Sequence, residues 1–272
     1  MMMIQKSPDL RASLLLAGLF WMCSIQAQNL VTFMPPDPAK TPPPAQTDTV
    51  ITIIDAQTDH KRVTLLENNI MVRDGFYLKG KKTGRWTDYS DTGVLLQIAD
   101  YENDQKSGEY MEFDVNGALV VWEHYRNGQL HGEKKYYVQG KNGRVLKSAY
   151  NYADGQLDGL CSEYTAEGKL QSQNTYAKGK KNGMSTWYFS NGKMAMMQYY
   201  KNDALEGNQK IYNQQGILIT DGNYVNNVKQ GAWTEYYDSG KLKAKGNYTN
   251  DKKTGTWTYY DESGNLVKTE NL

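Results

Sequence analysis

The sequence predicts an all-β protein: an elongated array of stacked antiparallel β-hairpins that form one open, twisted sheet. One supporting observation is composition, because the chain has 21 Tyr and 25 Gly, and tyrosine favours strands while glycine marks turns. The other is a phrase of 24 residues that recurs along most of the chain. Each copy has room for two short strands and their turns, and none for a helix.

The repeat is defined by glycines that open each unit. They are spaced by 24 residues, except for one spacing of 27 that an insertion within residues 138–146 explains. In every unit an aromatic residue lies five positions after this glycine, an aliphatic residue or Met eleven after it (thirteen in the unit with the insertion), and a tyrosine seven before it. The opening glycines are Gly84, Gly108, Gly132, Gly159, Gly183, Gly207, Gly231 and Gly255.

Each unit translates into one hairpin. A strand of about six residues follows the opening glycine, and a polar turn ends in a second glycine that supplies a positive φ. The second strand ends at the recurrent tyrosine, and a Lys/Asn/Gly loop such as "KGKKTG" leads to the next unit. Trp86 and Tyr89 cannot share one face of an ideal strand, so either a bulge intervenes or both faces carry aromatics.

The N-terminus predicts export. Lys6 and Arg11 precede the apolar stretch "ASLLLAGLFWMC", which suits a signal peptide of residues 1–27 cut between Ala27 and Gln28. Anchoring as a lipoprotein at Cys23 is the alternative. Either route places the protein in the periplasm, on the outer surface or outside the cell.

Three further segments follow the signal. Residues 28–48 form a spacer, since residues 34–49 hold six of the seven prolines and favour an extended, polyproline-like chain. Residues 49–74 lead into the repeats, with a strand over 49–57 and an ambiguous stretch from 58 that holds at most one more strand. The repeats occupy 75–272.

The phrase "NGKLxxxxxYxNxxKxGxWxxYYxxG" resembles the bacterial variant of the MORN repeat, which also occurs in proteins labelled as the YwqK-type antitoxin family. The resemblance covers about residues 75–272, with a period about one residue longer than in the eukaryotic unit. It implies stacked hairpins in one sheet, and a role in scaffolding, protein contacts or the binding of phospholipid headgroups. Toxin neutralisation is a further role that the resemblance implies.

"GTWTYYDESGNL", residues 255–266, is also similar to the choline-binding and glucan-binding repeats of bacterial surface proteins. That similarity implies an aromatic cage for a carbohydrate-like ligand. Two positions after the opening glycine, however, tryptophan occurs only in three units. The six candidate lysines fall once per repeat at one edge, where they form either a solvated edge or a basic rail for headgroups or acidic polymers. The candidate ligand contacts are Trp86, Trp233, Trp257, Lys81, Lys82, Lys180, Lys181, Lys252 and Lys253.

No residue pattern predicts catalysis, a metal site or a cofactor. The histidines His60, His124 and His131 lack metal-site spacing, and Cys161 alone is predicted to be a small buried side chain. Acids and bases nearly cancel, 30 against 31, so no global field predicts nucleic acid as a partner. The leading hypothesis is a non-enzymatic exported scaffold with a protein partner; the alternatives are a glycan- or headgroup-binding module and a toxin-neutralising protein.

Overall fold

The computed structural model of the chain describes residues 46–272. The predicted signal peptide with its cleavage site at Ala27 and Gln28, the possible lipidation site at Cys23 and most of the predicted spacer lie outside the described residues.

The described chain is one open antiparallel sheet, which confirms the predicted fold class. Each strand pairs with the one before and the one after it along the chain. β8, β11 and β16 are two-residue pieces that continue into β9, β12 and β17 alongside the same preceding strand. The strands are β1 (Thr47–Asp55), β2 (His60–Glu67), β3 (Ile70–Leu78), β4 (Lys81–Tyr89), β5 (Leu95–Glu102), β6 (Gln105–Phe113), β7 (Leu119–Arg126), β8 (Gln129–Leu130), β9 (Gly132–Gly140), β10 (Gly143–Ala153), β11 (Gln156–Leu157), β12 (Gly159–Tyr164), β13 (Leu170–Ala177), β14 (Lys180–Tyr188), β15 (Met194–Lys201), β16 (Ala204–Leu205), β17 (Gly207–Tyr212), β18 (Leu218–Val225), β19 (Val228–Tyr236), β20 (Leu242–Thr249), β21 (Lys252–Tyr260) and β22 (Leu266–Asn271).

The lead-in before the repeats is more regular than the sequence predicts. β1 covers most of the strand expected over residues 49–57. Residues 58–74, predicted to be irregular or to hold one strand, contain β2 and the first half of β3. Asn68 and Asn69 both have positive φ between those strands, so a tight turn joins them.

The lysine-rich segments lie in strands, contrary to the loops predicted for them. β4, β14 and β21 begin at Lys81, Lys180 and Lys252. Two-residue turns with positive φ at both positions precede each of these strands, as type I′ hairpin turns require. Eight turns of this kind lead into the repeat units: Lys79–Gly80, Asn103–Asp104, Asn127–Gly128, Asp154–Gly155, Lys178–Gly179, Asn202–Asp203, Asn226–Asn227 and Asn250–Asp251.

Neighbouring turns on this side of the sheet are joined to each other. Asp104 N donates to Lys82 O at 3.1 Å, and Asp104 Oδ1 accepts from Lys82 N at 2.8 Å. Asp203 and Asp251 make the same two bonds to Lys181 and Lys229. Each turn is therefore anchored to the unit before it, and the backbone groups at this edge are satisfied.

Bulges recur at the glycine that opens each unit. Gly84 has a φ of 62°, and β4 advances from Thr83 to Thr87 while β3 advances only from Phe76 to Asp74. Against β5, β4 keeps one register from Gly84 to Asp88, and the shift that follows places the extra residue, Leu96, on β5. Since β4 itself alternates regularly from Gly84 to Tyr89, Trp86 and Tyr89 point to opposite faces. Both possibilities left open by the sequence are thus realised: a bulge occurs, and aromatics occupy both faces.

The buried core is mainly one row of side chains across the sheet. It contains ten of the fifteen non-glycine residues that are buried, since the registers of neighbouring strands align them. We call it the central row, and its face the aromatic face. The central row is Gly75, Trp86, Ala99, Tyr110, Glu123, Lys134, Tyr150, Cys161, Asn174, Ser185, Gln198, Gln209, Gly222, Trp233, Gly246, Trp257 and Glu270.

Candidate interaction surfaces

The two ends of the central row alternate small and large side chains. Trp233 lies between Gly222 and Gly246, and its indole occupies the space that a side chain at Gly222 would fill: an added Cβ would lie 2.0 Å from the ring. Trp86 covers Gly75 in the same way, at 2.1 Å. Such close approach requires glycine on the neighbouring strand, because any side chain there would overlap the indole ring.

Aromatic rings extend this packing along the aromatic face. Tyr224, Trp233, Tyr248 and Trp257 follow one another with centroids 5.2 to 5.6 Å apart in edge-to-face geometry. Tyr77, Trp86 and Tyr101 repeat the arrangement near the other end. Edge-to-face pairs of this kind add to the stability that area burial alone provides.

In several units, a lysine near the start of the first strand of the hairpin lies over these rings. Lys82 Nζ is 4.4 Å from the centroid of Trp86, and Lys253 Nζ is 4.1 Å from that of Trp257. Lys181 lies over Trp187 and Tyr200, and its burial lowers the pKa of its ammonium group. These lysines are held by cation–π contacts, with their stems against the aromatic face.

The middle of the central row is mostly polar. Ser185, Gln198 and Gln209 are buried there, and Cys161 adds a small apolar side chain. Ser185 Oγ, in a side chain with 0% exposure, has no hydrogen-bond partner, and neither does Asn174 Oδ1 on the adjacent strand. Here the aromatic face lacks the glycine–tryptophan packing of the two ends.

The opposite face carries a second row, which changes character along the sheet. We call it the outer row; it begins with charged residues, becomes apolar in the middle and ends with small polar or amide residues. Its members are Arg85, Asp100, Glu109, His124, Glu133, Asn151, Leu160, Thr175, Met184, Tyr199, Asn208, Asn223, Ala232, Asn247, Thr256 and Asn271.

The charged part of the outer row is internally neutralised. Arg85 donates to Asp100 at 2.9 and 3.0 Å and to Glu109 at 3.0 Å. Partial burial would raise the pKa of Asp100, but the hydrogen bonds from Arg85 and from Glu109 N lower it below its ordinary value. Since the guanidinium is matched by two carboxylates, this end offers no unpaired positive field.

The apolar part forms an exposed patch over neighbouring strands. Leu160, Met184 and Tyr199 are 45%, 44% and 39% exposed, and Thr175 lies between Leu160 and Met184. Thr175 Oγ1 donates to Met184 O at 3.0 Å, and Asn151 Nδ2 donates to Leu160 O at 2.7 Å. These bonds fix the backbone under the patch. We call Leu160, Thr175, Met184 and Tyr199 the outer patch.

The three tryptophans predicted as possible ligand contacts lie in the central row and not on an open surface. Trp86, Trp233 and Trp257 are 5%, 4% and 0% exposed. A ligand would have to displace their neighbours to reach the rings, so burial favours the packing interpretation of these residues.

The six candidate lysines divide into two groups. Lys81, Lys180 and Lys252 are exposed, whereas Lys82, Lys181 and Lys253 are half-buried over aromatic rings. The structure therefore does not gather them into one continuous basic surface.

Cys161 and two of the three histidines, which the sequence analysis considered for chemistry, contact other residues of the sheet. Cys161 is buried, as predicted, and burial raises the pKa of its thiol. His124 Nδ1 lies 3.1 Å from Glu133 O, and His131 lies beside Asp154. Within residues 46–272 no group of three or more His, Cys, Asp and Glu side chains is placed to hold a metal. In the same range, no helix is long and apolar enough to cross a membrane.

The outer patch is not among the sites that the sequence predicts. Its signal is visible only once the faces are known, because Leu160 and Met184 each occupy the position directly after an opening glycine, where other units have charged or small polar residues and one alanine. Fold and surface together define a non-helical repeat protein whose hairpins expose two different faces.

Five segments match the family model described as the MORN repeat variant: residues 82–103, 157–178, 181–202, 229–250 and 253–272. These matches across the chain support a MORN-repeat protein. MORN repeats form a non-enzymatic repeat family whose members generally bind proteins or lipids. The unmatched units that open at Gly108, Gly132 and Gly207 keep the same hairpins. A search of curated proteins gave no match to the chain.

Proposed function

We propose that this repeat protein is an exported, non-enzymatic scaffold that binds a protein partner through the outer patch, in the cell envelope or outside the cell. The predicted signal peptide and proline-rich spacer support export, and their composition is typical of bacterial exported proteins. The repeat family supports a binding role over a catalytic one.

The observation that carries the proposal is the placement of small and large side chains in β12 and β14. Their buried positions carry the small side chains of Cys161 and Ser185, while the neighbouring positions that face solvent carry the larger apolar side chains of Leu160 and Met184. Packing alone would favour the reverse arrangement, because burying apolar side chains stabilises the fold and exposing them does not. A contiguous exposed apolar patch of this kind marks a contact surface.

The composition of the outer patch favours a protein over a glycan or a lipid headgroup. A thioether, an aliphatic side chain and a tyrosine form the centre, and the rest of the outer row supplies a polar rim, as in protein–protein interfaces. An anionic headgroup or acidic polymer would need a row of free cations, whereas Lys82, Lys181 and Lys253 are held over rings.

Toxin neutralisation would use the same kind of surface. It differs in predicting a cytoplasmic chain whose first 27 residues stay uncut. Cell fractionation together with N-terminal sequencing of the mature chain separates the two hypotheses.

Paired substitutions in the outer row test the binding surface. Met184→Lys and Leu160→Lys place a charge in the outer patch; Ala232→Lys places the same charge in the same row on β19, outside the patch. Retention of the purified variants on cell-envelope protein should fall at least tenfold for the first two and stay unchanged for the third. Equal retention of all three would contradict the proposal. Retention on anionic liposomes or cell-wall polysaccharide that depends on Lys180 and Lys252 would favour the alternative module.

A further inference from the structure

β22 lies at one edge of the described sheet, and its side chains are exposed on the side where residues 46–272 supply no further strand. Leu266 and Val267 are 59% and 63% exposed, although Leu242, at the equivalent position of the preceding unit, is half-buried between two neighbouring strands. Among the described residues, β21 is the one strand that pairs with β22. The outer backbone groups of β22 are thus available to a further strand.

The sequence of this edge is symmetric about Thr269. In "LVKTENL", residues 266–272, a leucine stands at each end, and a lysine and a glutamate lie one residue on either side of the centre. If two copies pair antiparallel about Thr269, Lys268 of each faces Glu270 of the other. Opposite charges directly across an antiparallel pair are favourable, and like charges are unfavourable.

The hydrogen-bond pattern selects the same register. Leu272 and Gly255 exchange both backbone bonds at 2.9 Å, so residues 268, 270 and 272 direct their backbone groups toward β21. Thr269 and Asn271 therefore direct theirs outward, because the two directions alternate along the regular part of the strand; the register against β21 shifts at Val267, which forms a bulge. Pairing about Thr269 matches Thr269 of the two copies with each other, and it leaves Lys268 and Glu270 at the closely spaced pairs where side chains meet.

The two neighbouring registers that keep the same hydrogen-bond pattern are unfavourable because each places like charges opposite each other. A shift by two residues in one direction places Lys268 opposite Lys268 of the second copy, and a shift in the other direction places Glu270 opposite Glu270. The sheet already contains the required pair: Lys134 Nζ lies 2.7 Å from Glu123 Oε1 across two strands in the central row. In a single copy, Lys268 instead contacts Glu270 of its own strand at 2.6 Å.

We propose that two copies of this chain associate through β22, with a two-fold axis at Thr269, to form one continuous antiparallel sheet. A two-fold pairing of this kind uses the same surface on both copies and closes, so it gives a dimer and not a filament. The outer patch lies on β12, β13, β14 and β15, which are other strands, so a dimer would display it twice. The two proposals stand or fall separately.

Two charge-reversal variants of the full-length chain, measured separately and as a mixture, test the dimer. Lys268→Glu alone places four glutamates at the contact, and Glu270→Lys alone places four lysines. Each variant should raise the dissociation constant of the dimer at least tenfold, as measured by sedimentation equilibrium. An equimolar mixture should restore dimers that contain one copy of each, because every lysine then faces a glutamate.

Lys245→Glu, an exposed charge reversal within β20, is the matched control and should leave the dimer intact. Circular dichroism of each variant checks that the sheet is folded. Three results would overturn the proposal: a wild-type chain that stays monomeric, a mixture that does not dimerise while both variants are folded, or a dimer that survives Lys268→Glu but is lost on Ile51→Lys at the β1 edge.

Discussion

The indole of Trp257 fills the space that a side chain at residue 246 would occupy. A Cβ added to Gly246 would lie 2.3 Å from the ring, and Trp257 Nε1 donates to Asn247 O at 3.0 Å. Trp257 is the largest fully buried side chain among the described residues. The same pairing recurs with Trp86 and Trp233, whereas the unit of Tyr110 pairs that smaller ring with Ala99. Side-chain volumes on neighbouring strands are thus matched.

We expect Gly246→Ala to destabilise the sheet by about 1–3 kcal/mol, the usual cost of overpacking a well-packed site. Combining it with Trp257→Tyr reproduces the natural Ala99–Tyr110 pair and should recover part of that loss. Urea unfolding of both single variants and the double variant measures the coupling. Strictly additive losses would show that the two positions are not matched in volume.

The type I′ turns make a second prediction. Asp104 has a φ of 67°, and four other turns have glycine at the equivalent position. Asp104→Ala should cost about 1 kcal/mol more than Asp104→Gly, because alanine disfavours the left-handed conformation whereas glycine adopts it freely. Both variants lose the side-chain bond to Lys82 N, so each controls for the other. Equal melting temperatures would contradict the prediction.

Stability should fall as pH rises above about 10. Burial raises the pKa of the Tyr110 and Tyr125 phenols, and hydrogen bonds to Glu112 and Glu123 raise it further. Unfolded phenols ionise near pH 10, so above that pH the unfolded state binds fewer protons than the folded state and the free energy of unfolding decreases. Tyr125→Phe should reduce the slope of stability against pH between pH 10 and 12; an unchanged slope would contradict this.

Cys161 should react slowly while the protein is folded. Its side chain is buried, and burial raises the pKa of the thiol, so little thiolate is accessible near neutral pH. In a Cys23→Ser background, alkylation at pH 8 should be at least a hundredfold slower in buffer than in strong denaturant. Comparable rates in both conditions would show that the central row is open at this position.

The hairpin array could be predicted from the sequence, because glycine and aromatic residues keep fixed offsets and each offset has one structural role. The side of each residue was harder to predict, since Trp86 and Tyr89 lie three positions apart and only the observed register shows that the bulge leaves them on opposite faces. The lysines were misplaced for a related reason: "KGKKTG" has loop composition, but its Lys-Gly pair forms the entire turn. The outer patch depends on comparing faces between units, which the repeat pattern alone does not provide.

The most direct test of the proposed binding surface is site-specific photocrosslinking in intact cells. A photoreactive residue introduced at position 184 should form an adduct with one protein of defined mass, and position 160 should trap the same protein. Position 232, exposed in the same outer row, should give no such adduct. The account is contradicted if position 232 traps that protein as efficiently as position 184, or if position 184 labels only lipid or polysaccharide.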